Sequence, residues 1–149
     1  MRKAFVSVHA YGDLVPREEY LQTLEDYQDD SFDIIHLTSR DRVKDCIGYE
    51  LGKNSIEDTN GRGNLRSDDV ERLVGYDKIV AGGSNANICF PNFVNDLKES
   101  DLDPEIDPDA TYLSDEDDRA PISDIMKGEN ANQILRRLYL TAPTFYQRS

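Results

Sequence analysis

Between Lys3 and Thr38 the chain reads strand, helix, strand, and this run constrains the fold more than any other feature. Phe5, Val6 and Val8 carry the aromatic and β-branched enrichment of a short buried strand, which ends at Tyr11-Gly12-Asp13. Pro16 suits the first turn of a helix, and Glu18 and Glu19 stand near its positive end. Tyr20, Leu21, Leu24 and Tyr27 then fall at helical spacing, and Phe32 to Thr38 forms a second apolar run after the polar break Asp29-Asp30-Ser31. Two strands joined by a helical crossover pair in parallel, so strands at about 4–9 and 33–38 should be neighbours with the helix at 17–28 across one face.

The rest of the chain extends this pattern. Val43, Ile47 and Leu51 recur every fourth residue and predict a second helix from Asp41 to Leu51, ending at Gly52. Lys53 to Ser67 is polar around Asn60-Gly61-Arg62-Gly63 and reads as an exposed loop. Ser67 caps a further helix with Val70, Leu73 and Val74 as its stripe, and Asp77 to Ala81 reads as a third strand running into Gly82-Gly83-Ser84-Asn85. Ile88 to Leu97 is core of undecided type, and a terminal helix is expected from about Ser123 to Leu140 before the aromatic, basic tail Pro143 to Ser149. The expected fold is α/β, a small two-layer or three-layer sandwich with a short, mainly parallel sheet. Its organisation is a core over 1–98, an acidic extended segment over 99–122, and a C-terminal helix with its tail over 123–149 packed on the same domain.

Charge is distributed unevenly. Of the 30 acidic residues in this chain of net charge −13, ten fall between Glu99 and Asp118, where no basic residue stands. Asp101, Asp103, Glu105, Asp107 and Asp109 alternate with Leu102, Pro104, Ile106 and Pro108, and the prolines exclude a helix. An extended path places alternate carboxylates roughly 6.6 Å apart on one face, about twice the 3.4 Å rise per nucleotide of one DNA strand. With Asp115, Glu116, Asp117 and Asp118, this row is the candidate partner-binding surface, suited to a basic protein surface such as that of a nucleic-acid-binding enzyme. The other reading is a solvated acidic loop. A calcium loop is disfavoured because Ile106 occupies the sixth position from Asp101, where the turn needs glycine.

Composition narrows the remaining classes. No stretch approaches the roughly 20 apolar residues of a membrane helix, the N-terminus lacks a signal-peptide pattern, and direct binding of nucleic acid is opposed by the net charge of −13. Two cysteines, Cys46 and Cys89, fit a reducing, cytoplasmic location and lack the spacing of a zinc site, so neither metal nor cofactor is expected. Cys89 lies between Ile88 and Phe90 and reads as buried and inert, although its sequence does not exclude a nucleophile.

Parallel strands would gather His9, Tyr11, Gly12 and Asp13, then Thr38, Ser39 and Arg40, then Gly82, Gly83, Ser84 and Asn85 at one edge, where open α/β sheets bind ligands. Those residues are the candidate ligand site, with His9 beside Asp13 as an acid–base pair. His9 and His36 also fit core positions in strands. Asp45-Cys46-Ile47-Gly48-Tyr49-Glu50-Leu51-Gly52 resembles a segment of the nucleoside 2-deoxyribosyltransferase family, and that resemblance implies Glu50 as a nucleophile toward an anomeric carbon. His36-Leu37-Thr38 resembles the H-x-T element of two-histidine phosphoesterases, a family that needs two such elements, and the chain holds no second one. The leading expectation is therefore a small acidic inhibitor or regulator, anti-defence or immunity-like, imitating nucleic acid. An N-glycosidic-bond enzyme built on Glu50 and a virion or assembly component are the alternatives.

Overall fold

The computed structural model describes residues 1–86, 88–113, 120–126, 139 and 143–148, the side chain of Ile125 excepted. Among the described residues six strands form one sheet in the order β3-β2-β1-β4-β5-β6, and all its strand pairings are parallel. They are β1 (Lys3–Val8), β2 (Phe32–Thr38), β3 (Ser55–Glu57), β4 (Lys78–Gly83), β5 (Glu105–Thr111) and β6 (Thr144–Phe145). The helices are α1 (Arg17–Asp29), α2 (Ser67–Val74), α3 (Cys89–Glu99) and the short α4 (Ile122–Ile125). As the sequence predicts, β1 and β2 are parallel neighbours, with Lys3 opposite Phe32 and Val8 opposite Leu37.

Strand alternation divides the core between the two faces. Phe5 and Val80 point with Tyr20, Leu24 and Tyr27 of α1 into one apolar cluster. Ala4, Val6, Val8 and Ala81 join Leu73 of α2 and Phe90, Phe93, Val94 and Leu97 of α3 in the other. The result is three layers: α1, the sheet, then α2 with α3. No described helix is long and apolar enough to cross a membrane.

Several local expectations give way to tertiary contacts. The helix expected over Asp41 to Leu51 is a single 3-10 turn, Val43–Asp45, followed by tight turns. Ile47 N–H donates to the carbonyl of Ala10 at 2.9 Å instead of to its own helix. Gly52 has φ +90°, and a Cβ there would stand 2.6 Å from the carbonyl oxygen of Ile34, so the chain turns where a helix would continue. The polar stretch after Lys53 is not wholly loop, because Ser55–Glu57 adds β3 to the free edge of β2. Ser67 begins α2 but does not cap it; Arg66 takes that position without a side-chain hydrogen bond.

The acidic row is also broken. Residues Glu105–Thr111 are a strand inside the sheet, flanked by β4 and β6, so no continuous exposed face of carboxylates forms. Between the pairs Ala81–Ile106 and Gly83–Thr111 the register slips, and Pro108, which has no N–H to offer the ladder, sits in the extra length. Asp107 organises this bulge: its Oδ1 accepts the N–H of Asp109 at 3.0 Å and its carbonyl accepts the Thr111 hydroxyl at 2.8 Å. Asp107 is 1% exposed. Asp101, Asp103 and Asp109 are exposed and Glu105 lies 3.5 Å from Lys78. Asp115, Glu116, Asp117 and Asp118 lie outside the described residues, as does most of the helix expected from Ser123 to Leu140, beyond α4, Met126 and the buried Tyr139.

Candidate functional site

The parallel sheet carries the ends of β1, β2 and β4 to one edge, and three side chains meet there. His9 follows β1 with φ 44°, a left-handed conformation uncommon outside glycine. Its N–H donates to the carbonyl of Leu37 at 2.9 Å, and its carbonyl accepts the Ser84 hydroxyl at 2.7 Å, so β2 and the turn after β4 together hold it. The ring is stacked on Tyr11, with centroids 5.5 Å apart. Tyr11 is fixed in turn: its hydroxyl lies 3.0 Å from Thr38 Oγ1 and accepts the Ser39 N–H at 2.8 Å.

His9 Nε2 lies 2.6 Å from Oδ2 of Asp58, the residue after β3. Asp58 is 5% exposed, and its remaining capacity is met by backbone: Gly61 N–H donates to Oδ1 at 3.0 Å and Gly63 N–H to Oδ2 at 2.9 Å. Burial opposes its ionisation, but the His9 hydrogen bond and the two glycine amides outweigh burial and hold the carboxyl below its usual range. Cys89, the first residue of α3, is the second group that acts on the His9 imidazole. Burial disfavours the charged ring, yet hydrogen bonds to Asp58 and Cys89, with attraction from both, raise its pKa to about 9. At neutral pH the arrangement is an imidazolium between a carboxylate and a sulfur.

The loop from Asp58 to Asn64 joins the two sides of this cluster. Gly63 has φ +89°, and a Cβ there would collide with the carbonyl of Cys89, so only glycine lets the loop lie against the start of α3. Asn92 Nδ2 donates to the carbonyl of Arg62 at 2.9 Å, and Cys89 Sγ approaches the Gly61 carbonyl at 3.9 Å. The Cys89 N–H, at the positive end of α3, has no acceptor among the described residues.

Sequence reasoning brings some candidates to this edge and misplaces others. His9, Tyr11, Thr38, Ser39, Ser84 and Asn85 stand around it, with Gly82 and Gly83 ending β4 beneath. Asp13 is not the histidine's partner: it is exposed and pairs with Arg42 at 3.3 Å. Gly12 lies against the guanidinium of Arg17, and Arg40 is exposed at the rim. Glu50 sits exposed on the turn beside β2, where its charge acts on His36 and not on His9. His36 itself is buried, with Nε2 3.2 Å from the Leu51 carbonyl, and burial lowers its pKa. Asp58 was hidden in a stretch read as loop; its one local signal is the glycine pair at Gly61 and Gly63, which frees backbone amides to bind a carboxylate.

No family model matches the chain, and no curated protein is similar to it in sequence. Solved structures share its fold. The nicotinamidase/pyrazinamidase of Bacillus subtilis superposes with a TM-score of 0.65 at 13% identity over 98% of this chain and all of that one. YcaC of Pseudomonas aeruginosa, solved with covalent acrylamide, gives 0.65 at 14% identity over 97% of this chain and 75% of that one. A cysteine hydrolase of Pseudomonas syringae pv. phaseolicola gives 0.54 at 14% identity over 97% and 87%. The fold thus resembles that of nicotinamidases and of an isochorismatase-like hydrolase. These neighbours overturn the expectation of an acidic inhibitor or nucleic-acid mimic, and they lend no support to a nucleoside transferase built on Glu50.

Proposed function

We propose that the protein is a cysteine-dependent hydrolase of small amides or related acyl compounds, with Cys89 as nucleophile, His9 as proton carrier and Asp58 as the group that orients and charges His9. The observation that carries this reading is the imidazole held between Asp58 at 2.6 Å and Cys89 at the start of α3. A cysteine beside a base that a carboxylate orients is the set of parts that covalent acyl transfer requires. The hydrolase neighbours of the same fold support the reaction class.

The residues divide the work as follows. In the reacting form the thiolate of Cys89 faces protonated His9, the thiolate being the nucleophilic form of cysteine. The thiolate attacks the carbonyl carbon, and the N–H of Cys89 is placed to receive the oxygen as it gains negative charge. His9 gives its proton to the leaving amine as the C–N bond breaks, which leaves a thioester and a neutral imidazole. Neutral His9 then takes a proton from water as the water oxygen attacks the thioester. The acid departs, the C–S bond breaks, and the thiolate and imidazolium are restored. Asp58 keeps the imidazole in the orientation that serves both steps and stabilises its charged form.

Assay of the purified chain against nicotinamide, an N-carbamoyl amine and 4-nitrophenyl acetate, alongside Cys89→Ala, tests the proposal. Turnover by the wild type that is absent in the variant is the expected result. Turnover retained in Cys89→Ala contradicts it.

A further inference from the structure

We infer that this site takes an anionic substrate, an acyl compound whose carboxylate or phosphate is held by Arg62 with Arg40 beside it. The inference rests on Cys89 being the reactive group. Arg62 stands between Gly61, whose carbonyl is 3.9 Å from Cys89 Sγ, and Gly63, whose backbone lies against that of Cys89. Its main chain is pinned on both sides, the N–H donating to Asn60 Oδ1 at 3.0 Å and the carbonyl accepting from Asn92 Nδ2 at 2.9 Å. Its guanidinium is exposed and has no ion pair or hydrogen bond among the described residues. By contrast Arg42, Arg72 and Arg148 are each ion-paired.

Arg40 follows Ser39 on the turn that meets this loop from the other side. Ser39 Oγ lies 3.8 Å from where a Cβ on Gly61 would stand, so the turn after β2 abuts the Gly61-Arg62-Gly63 loop. Arg40 is also exposed and without an ion pair among the described residues. The nearby carboxylates do not cancel this charge. Asp58 is committed to His9 and two amides, Asp13 and Asp45 to Arg42, and the exposed Asp41 pairs with neither arginine. Two arginines without an ion pair among the described residues, on loops that meet beside the site, add positive charge near an imidazolium in a chain of net charge −13. Arginine matches the planar geometry of carboxylate and phosphate oxygens with paired N–H donors. A substrate anion bound there would set its neighbouring carbonyl against Cys89.

Alkylation separates this inference from hydrolysis, because it needs no turnover. Iodoacetate and iodoacetamide both lose iodide as sulfur forms a bond to their methylene carbon, and they differ in charge. The rate ratio of the two at Cys89, followed by peptide mass mapping and referred to the same ratio for 2-mercaptoethanol, should favour iodoacetate by about tenfold at low salt. Added acetate or inorganic phosphate should protect; the better protector identifies which anion the site prefers. Arg62→Gln and Arg40→Gln should each lower the ratio, and the double variant should bring it near that of the free thiol. Added salt should compress it. Rapid alkylation with no preference for iodoacetate overturns the anion site and leaves the nucleophile standing. A selective Cys89 in a protein that hydrolyses no acyl probe retains the anion site and overturns the hydrolase. A native Cys89 inert to both reagents overturns both.

Discussion

Two regions of this molecule bury an aspartate, and they use it in opposite ways. Asp58, at the end of β3, is surrounded by donors: the His9 ring and the amides of Gly61 and Gly63 hold it ionised. Asp107, in the bulge of β5, accepts the Tyr27 hydroxyl at 2.6 Å and lies 3.1 Å from Arg148, yet burial still raises its pKa. The first carboxylate stands one imidazole away from a sulfur. The second ties α1, β5 and the tail after β6 together, with Arg148 and Tyr146 over Tyr27. A buried carboxylate therefore reads as chemistry or as a clamp according to what its partner touches next.

The largest effects should come from the reactive side of this comparison. Replacing Cys89 by Ala should abolish acyl hydrolysis, a loss of about 10⁴-fold or more in kcat, while thermal unfolding followed by circular dichroism changes little. Asp58→Asn keeps the shape of the carboxylate but removes its charge, and kcat should fall by about 10²-fold or more. Asp107→Asn should do the reverse. It weakens the Tyr27 and Arg148 contacts and should cost about 1–3 kcal/mol in urea unfolding, with kcat/KM unchanged. Equal losses of activity in the two aspartate variants would erase the distinction between them.

Proton linkage sharpens the same contrast. His9 is raised from 6.5 to about 9, so the folded state holds a proton that the unfolded chain releases. Its contribution to stability is complete below about pH 6.5 and is lost as pH rises through about 9. Activity that needs the imidazolium should fall over the same upper limb. In Asp58→Asn that limb should move toward pH 6.5, whereas Asp107→Asn should leave it in place. Unfolding free energies and kcat/KM measured from pH 5 to 10 check both statements.

Much of the scaffold was legible because it is built from apolar runs and helical spacings. The apolar enrichment of Lys3–Val8 reflects burial on both faces of the sheet, the spacing of Tyr20, Leu24 and Tyr27 reflects burial on one helix face, and β1, α1, β2 and β4 follow. Asp41 to Leu51 shows the limit of that rule. Its four-residue spacing fits a helix, but the contact of Gly52 with Ile34 and the bond from Ile47 to Ala10 turn the chain instead. β3 is three residues long and exists because β2 offers it an edge. Of the site, His9 and the strand-end position were visible, but its partners were not. Cys89 looks like core because its neighbours in sequence are apolar, and nothing local records that β1 delivers an imidazole to it from 80 positions away. The alternating acids were visible as a pattern but not as a strand, since Pro104 and Pro108 argue for an open path that the bulge of β5 accommodates.

The central claim is that Cys89 is a nucleophile activated by His9. Its most direct test is the mass of the protein quenched in acid during turnover of 4-nitrophenyl acetate, with the labelled peptide mapped. The account predicts one acetyl group on Cys89, absent from Cys89→Ala and strongly reduced in His9→Gln. Acetylation elsewhere, or a Cys89 adduct that forms equally well without His9, would contradict it.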